Sequence, residues 1–150
     1  MAKALRAAVI AMLLASATDV SAQERFVAKL TLPDGRTAVV AEGDFEARST
    51  GSFSVRLYDA AAAPDETTFF ASGLIRARDG VVEKVVLADV DGDRQPEVVV
   101  VVRSAGTGSY LSAHAFATGK GKLAFRATVD GLAADADPVA ALRKSRTAKK

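Results

Sequence analysis

The stretch Arg103-Ser104-Ala105-Gly106-Thr107-Gly108-Ser109-Tyr110 gathers four hydroxyls and two glycines in a single short segment. Hydroxyls donate to carboxylates without bringing a competing charge. Tyrosine adds a broad amphipathic surface of the kind that anchors protein interfaces. The glycines predict a backbone free to enter positive φ. Chemistry of this kind suits recognition of acidic groups on another molecule, although an ordinary exposed hairpin loop has the same composition.

A second cluster, Asp89-Val90-Asp91-Gly92-Asp93, leads through Pro96-Glu97 into a run of valines. Carboxylates at alternate positions around a glycine resemble the calcium loops of integrin-type propeller repeats. One calcium ion takes about six to eight oxygen ligands. The same residues also favour a tight turn without any ion, through local side-chain to backbone hydrogen bonds. The loop occurs once, whereas propeller repeats recur. Asp89, Asp91 and Asp93 therefore stand as an alternative set of metal ligands, and the leading reading requires no metal and no cofactor.

The sequence points away from enzyme chemistry. It holds no cysteine and one histidine, His114, inside the alternating stretch Tyr110–Phe116. A lone histidine on a strand is more often structural than catalytic. No serine sits in a nucleophile-elbow pattern. The paired aspartates have nothing nearby that suggests the cleft of a glycosidase.

These segments need a scaffold, and the sequence supplies β-strands. Phe26–Leu32 alternates and closes at Pro33-Asp34-Gly35, where proline presets one turn position and glycine fills another. Thr37–Ala41 returns. Ser52–Tyr58 alternates again, and Thr67–Ala77 follows a loop, with Gly73 predicting a bulge or bend. Asp79-Gly80 reads as a hairpin turn into Val81–Ala88. Val98–Val102 is five β-branched residues in a row, which predicts a strand buried on both faces rather than a helix. Tyr110–Ala117, a turn at Gly119-Lys120-Gly121, and Leu123–Val129 complete the set. Turn signals every ~8–12 residues predict an all-β antiparallel β-sandwich of about eight strands. Asp137 as cap and Pro138 as first helical residue leave room for a short C-terminal helix.

The ends of the chain differ from its body. Lys3 and Arg6, the apolar stretch Ala7–Ala15 and the small residues Val20-Ser21-Ala22 have the order of an export signal, predicting cleavage before Gln23. The apolar stretch is shorter than the ~20 residues a bilayer span needs. The sequence thus divides into a signal peptide at 1–22, a domain at 23–137 and a basic tail at 138–150, the tail's end expected to be solvated. Residues 143–150 hold five basic groups and no acid, while 23–142 hold 13 basic and 17 acidic groups. The pI near 9.0 therefore belongs to the ends, and the body gives no reason to expect nucleic-acid binding. Nothing remains to hold a membrane once the signal is cleaved. An exported chain without disulfides must rest on its core alone, which suits a periplasm.

Four segments together resemble the periplasmic inhibitors of invertebrate-type (I-type) lysozyme. They are Ala41–Ser49, Gly51–Tyr58, Val85–Asp93 and Ser104–Ser112. The family's Ser-Gly-x-Tyr motif falls on Thr107-Gly108-Ser109-Tyr110, with threonine in place of the first serine. The resemblance implies a β-sandwich in the periplasm that inserts loop 104–110 into the lysozyme cleft and blocks peptidoglycan hydrolysis. It implies that Thr107 and Tyr110 carry the contacts, with Ser104 and Ser109 in support and Gly106 and Gly108 shaping the loop. The partner is then an I-type lysozyme, and an exposed sheet edge leaves a homodimer open. The alternative is a calcium-binding envelope module built on the Asp89–Glu97 loop.

Overall fold

A computed structural model describes residues 24–63 and 66–147. The predicted leader at 1–22 lies outside them. Among the described residues eight strands form: β1 (Val27–Thr31), β2 (Thr37–Glu42), β3 (Thr50–Tyr58), β4 (Phe70–Asp79), β5 (Val81–Ala88), β6 (Glu97–Arg103), β7 (Leu111–Ala117) and β8 (Ala124–Leu132). A helix, α1 (Pro138–Thr147), follows. The strands make two antiparallel four-stranded sheets, ordered β1-β2-β3-β4 and β5-β6-β7-β8. This is the expected all-β architecture with its C-terminal helix.

The core lies in two layers, and the valine run explains both. Val98, Val100 and Val102 point between the sheets, where they meet Val40, Phe53, Val55, Leu57 and Phe116. Val99 and Val101 point the other way, with Leu111, Ala113, Ala115 and Leu142 of α1. Successive strand side chains alternate faces, so a strand covered by a sheet on one side and a helix on the other must be apolar throughout. Each such valine contributes roughly 1.5–3 kcal/mol by leaving water. Ala113 and Ala115 are small where the helix approaches, and their neighbours His114 and Phe116 face the sandwich interior against Phe53.

Three local expectations change. Asp79-Gly80 is not a hairpin: β4 and β5 belong to different sheets, so the dipeptide carries the chain across the sandwich. Gly80, at φ +118, sits so close to β6 that a Cβ there would lie 2.0 Å from the Arg103 carbonyl oxygen. Glycine is required by that approach, and a long-range contact rather than a turn type decides where the strand goes. The β3–β4 irregularity falls not at Gly73, which pairs with Arg56, but between Leu57 and Tyr58, which pair with Ser72 and Phe70 and leave Ala71 extra. Finally, the expected C-terminal helix is longer than its Pro138–Leu142 signal: it runs to Thr147 and takes in the first part of the basic end. Asp137 Oδ1 accepts from the amides of Val139 at 2.9 Å and Ala140 at 3.2 Å, and Leu142 is fully buried. The helix packs on the outer face of the second sheet.

The registers sort the connections into two ends. One end carries the start of β1, the β2–β3 loop, the Gly80 crossover, loop 104–110 and the β8–α1 link. The opposite end carries the β1–β2 turn, the Asp89–Pro96 loop and the β7–β8 turn, tied by Arg36 Nη2 donating to the Thr118 carbonyl at 2.6 Å.

Candidate functional site

Loop 104–110 joins β6 to β7 as a closed protrusion. At its base the Ser104 amide donates to the Tyr110 carbonyl at 2.8 Å. Within it the Ser109 amide donates to the Gly106 carbonyl at 3.1 Å, and the Gly106 amide to Ser104 Oγ at 3.1 Å. The stalk beneath is β6, the most deeply buried strand in the chain. Thr107 and Tyr110 are exposed at the surface, while Ser104 and Ser109 are half-buried.

The glycines work differently from their expected role. The positive φ in the loop belongs to Ser109, at 46°, and neither Gly106 nor Gly108 has one. Gly108 is needed for proximity instead: a Cβ there would stand 2.1 Å from Cε2 of the Tyr110 ring. The ring therefore lies against the bare Gly108 backbone and is held by it. Ser109 sits in the left-handed region, which non-glycine residues visit at some cost and mostly where surrounding structure enforces it.

Arg103 supplies much of that enforcement. Its guanidinium forks onto Glu83, with Nη2 donating to Oε1 at 2.9 Å and Nε donating to Oε2. Its Nη1 donates to the Ser109 carbonyl at 3.0 Å. Glu83 can reach it because the β5–β6 register shifts between Val82 and Lys84, leaving Glu83 as the extra residue; bulges re-aim side chains in this way. The Arg103 hydrogen bond holds the Glu83 carboxyl below the usual carboxylate range against the opposing effect of partial burial, and Glu83 raises Arg103 in turn. Arg103 was visible as the first residue of the loop segment. Glu83 was not, since nothing in a β-strand sequence marks a bulge that brings a glutamate to an arginine 20 residues away.

The acidic cluster is at the other end of the sandwich, remote from this loop. One carboxylate oxygen from each of Asp89, Asp91 and Glu97 lies within 4.8 Å of the others. Asp93, expected as the third ligand, is not among them: its Oδ1 accepts from the Gln95 amide at 2.7 Å. Asp89 accepts from the amides of Gly92 at 2.7 Å and Arg94 at 3.0 Å, which lowers its pKa below the ordinary value. Asp91 faces Arg146 of α1 at 3.7 Å. Glu97 is buried and accepts from the Val90 amide at 2.9 Å. Burial, then Asp91 and Asp93, push its carboxyl up. The loop is thus closed by its own main-chain amides, and α1 is pinned to it by Arg143 Nε donating to the Asp89 carbonyl at 2.9 Å.

His114 is a core residue. It is buried beside Phe53, with Nδ1 3.2 Å from Thr128 Oγ1, and burial lowers its pKa.

Comparison with known proteins agrees with this architecture. The family model described as periplasmic lysozyme inhibitor of I-type lysozyme matches residues 24–146. The crystal structure of the periplasmic inhibitor of I-type lysozyme from Aeromonas hydrophila is 45% identical, with a TM-score of 0.70 over 78% of this chain and 98% of that one. The Aeromonas hydrophila inhibitor in complex with Meretrix lusoria lysozyme is likewise 45% identical, with a TM-score of 0.69 over 79% of this chain and 95% of that one. No curated protein matches. The chain belongs to the family of periplasmic lysozyme inhibitors of I-type lysozyme.

Proposed function

We propose that this protein is exported to the periplasm by residues 1–22 and there inhibits I-type lysozyme, inserting loop 104–110 into the active-site cleft. It acts by binding, with no chemistry of its own. The observation that carries the reading is the loop itself: exposed Thr107 and Tyr110 stand on a protrusion closed at its base and braced by Arg103. Lysozymes cleave peptidoglycan with carboxyl groups flanking the scissile bond. Hydroxyls from Thr107 and Tyr110 can donate to such carboxylates, and hydrogen bonds to charged groups contribute about 1.5–3 kcal/mol each. A loop already in its bound shape avoids an ordering cost of roughly 0.5–1.5 kcal/mol per side chain. Gly108 keeps the Tyr110 ring against the loop backbone, so the tyrosine enters as a rigid wedge. The extra methyl of Thr107, relative to the family's serine, must fit the cleft alongside it.

The test is inhibition of cell-wall lysis by the purified mature protein against I-type, chicken-type and goose-type lysozymes. Slowing of the I-type enzyme is expected. If none of the three slows, the reading fails.

A further inference from the structure

We propose that the β2–β3 loop, residues 43–49, is a second lysozyme-binding element, with Phe45 as an apolar anchor docking beside the cleft that receives Tyr110. The proposal rests on the reading of loop 104–110 given above. Phe45 is fully exposed at φ 60. A bulky side chain in the left-handed region with no burial is unfavourable on both counts, and such strain collects where surrounding structure imposes it for use.

The imposing structure is a hydrogen-bonded network beneath the loop, centred on a buried arginine. Arg78, whose side chain is wholly buried, donates to the carbonyls of Ala47 at 3.0 Å, Arg48 at 2.9 Å and Ser52 at 3.0 Å. The Glu46 carboxylate accepts from the Ser52 amide at 2.6 Å and the Ser52 hydroxyl at 2.7 Å. Arg25 donates to the Glu46 carbonyl, and the Gly43 amide donates to the Ser52 carbonyl at 3.0 Å. Both shoulders of the loop are therefore fixed, while its tip presents an aromatic ring to solvent. Interface anchors are aromatic residues held in place before contact.

The position of the loop names the occupant. The Gly80 amide donates to the Ser49 carbonyl at 2.7 Å. On its other side Gly80 presses on the Arg103 carbonyl and the Ser104 Cα. One residue thus couples the end of the 43–49 loop to the base of the 104–110 loop, and both project from the same end of the sandwich. A protein that swallows Tyr110 meets Phe45 at the border of the same footprint. The complementary surface is an apolar pocket or shelf next to the saccharide cleft.

Phe45→Asn removes the ring and keeps a residue that tolerates positive φ, so the loop conformation is preserved. Inhibition constants for I-type lysozyme are compared for the wild type, Phe45→Asn and Tyr110→Ala, with unchanged melting temperature confirming the fold. A tenfold or greater weakening in both variants, expressed mainly as faster dissociation, is expected. Weakening in Tyr110→Ala with no change in Phe45→Asn overturns the second element and leaves the first intact. A wild-type protein that does not inhibit overturns both.

Discussion

Arg103 Nη1 donates to the Ser109 carbonyl across 3.0 Å, so the strand that leads into the loop also grips its far side. The same guanidinium is anchored to Glu83. Loop shape is therefore coupled to β5 through Glu83. Arg103→Met keeps the aliphatic stem and removes the grip. Inhibition should weaken about tenfold, roughly 1.4 kcal/mol, the scale of one hydrogen bond to a charged group. Melting temperature should barely move, because half-exposed ion pairs contribute little to stability. An inhibition constant equal to wild type would show that the loop keeps its shape unaided.

Gly108→Ala tests the seat of the tyrosine. The new Cβ would overlap the Tyr110 ring, so the ring must swing away while the exposed loop absorbs the change. Stability should stay within about 0.5 kcal/mol, as for most surface substitutions. Inhibition should fall by tenfold or more. Binding of wild-type strength would mean that the ring's resting place is irrelevant.

Asp89→Ala separates the two ends of the molecule. It removes the acceptor for the Gly92 and Arg94 amides, and lost local caps of this type cost about 0.5–2 kcal/mol. Denaturation should show that loss while inhibition stays unchanged, because the Asp89–Glu97 loop sits at the end of the sandwich opposite loop 104–110, the proposed contact. A variant that unfolds no more easily but inhibits poorly would reverse the assignment of ends.

The buried histidine predicts an acid sensitivity with a defined sign. His114 is harder to protonate in the folded state than in the unfolded chain, so the unfolded chain takes up its proton first. Stability should fall as pH drops below the unfolded value near 6.5 and continue to fall until the folded pKa is passed. Glu97 acts oppositely. Its raised pKa costs stability at neutral pH, and acidification through that raised value towards 4.5 relieves the cost. Denaturation of His114→Phe and wild type at stepped pH isolates the first effect: the variant should lose the slope just below pH 6.5. Parallel curves would show that the imidazole does not drive it.

Much of this was legible in the residues. Val98–Val102 announced a strand covered on both faces, and the structure places a sheet on one side and α1 on the other. Asp137-Pro138 announced the helix start. The crossover at Gly80 was not legible, because a dipeptide can signal a change of direction but not which sheet the next strand joins. The bracing of loop 104–110 was hidden for a similar reason: it depends on a bulge at Glu83 and on a tyrosine ring lying against Gly108. Phe45 left one trace, a lone aromatic among Gly43, Asp44 and Glu46, but the loop around it is tied down by Arg78, over thirty positions downstream, which donates to the carbonyls of Ala47 and Arg48.

The most direct test of the central claim is the inhibition constant of Tyr110→Ala against an I-type lysozyme, measured beside the wild type. Removal of a hot-spot aromatic should cost about 2 kcal/mol or more, roughly a thirtyfold weakening, with the melting temperature preserved because Tyr110 is exposed. An unchanged constant in a protein that does inhibit would contradict the account and place the inhibitory contact elsewhere.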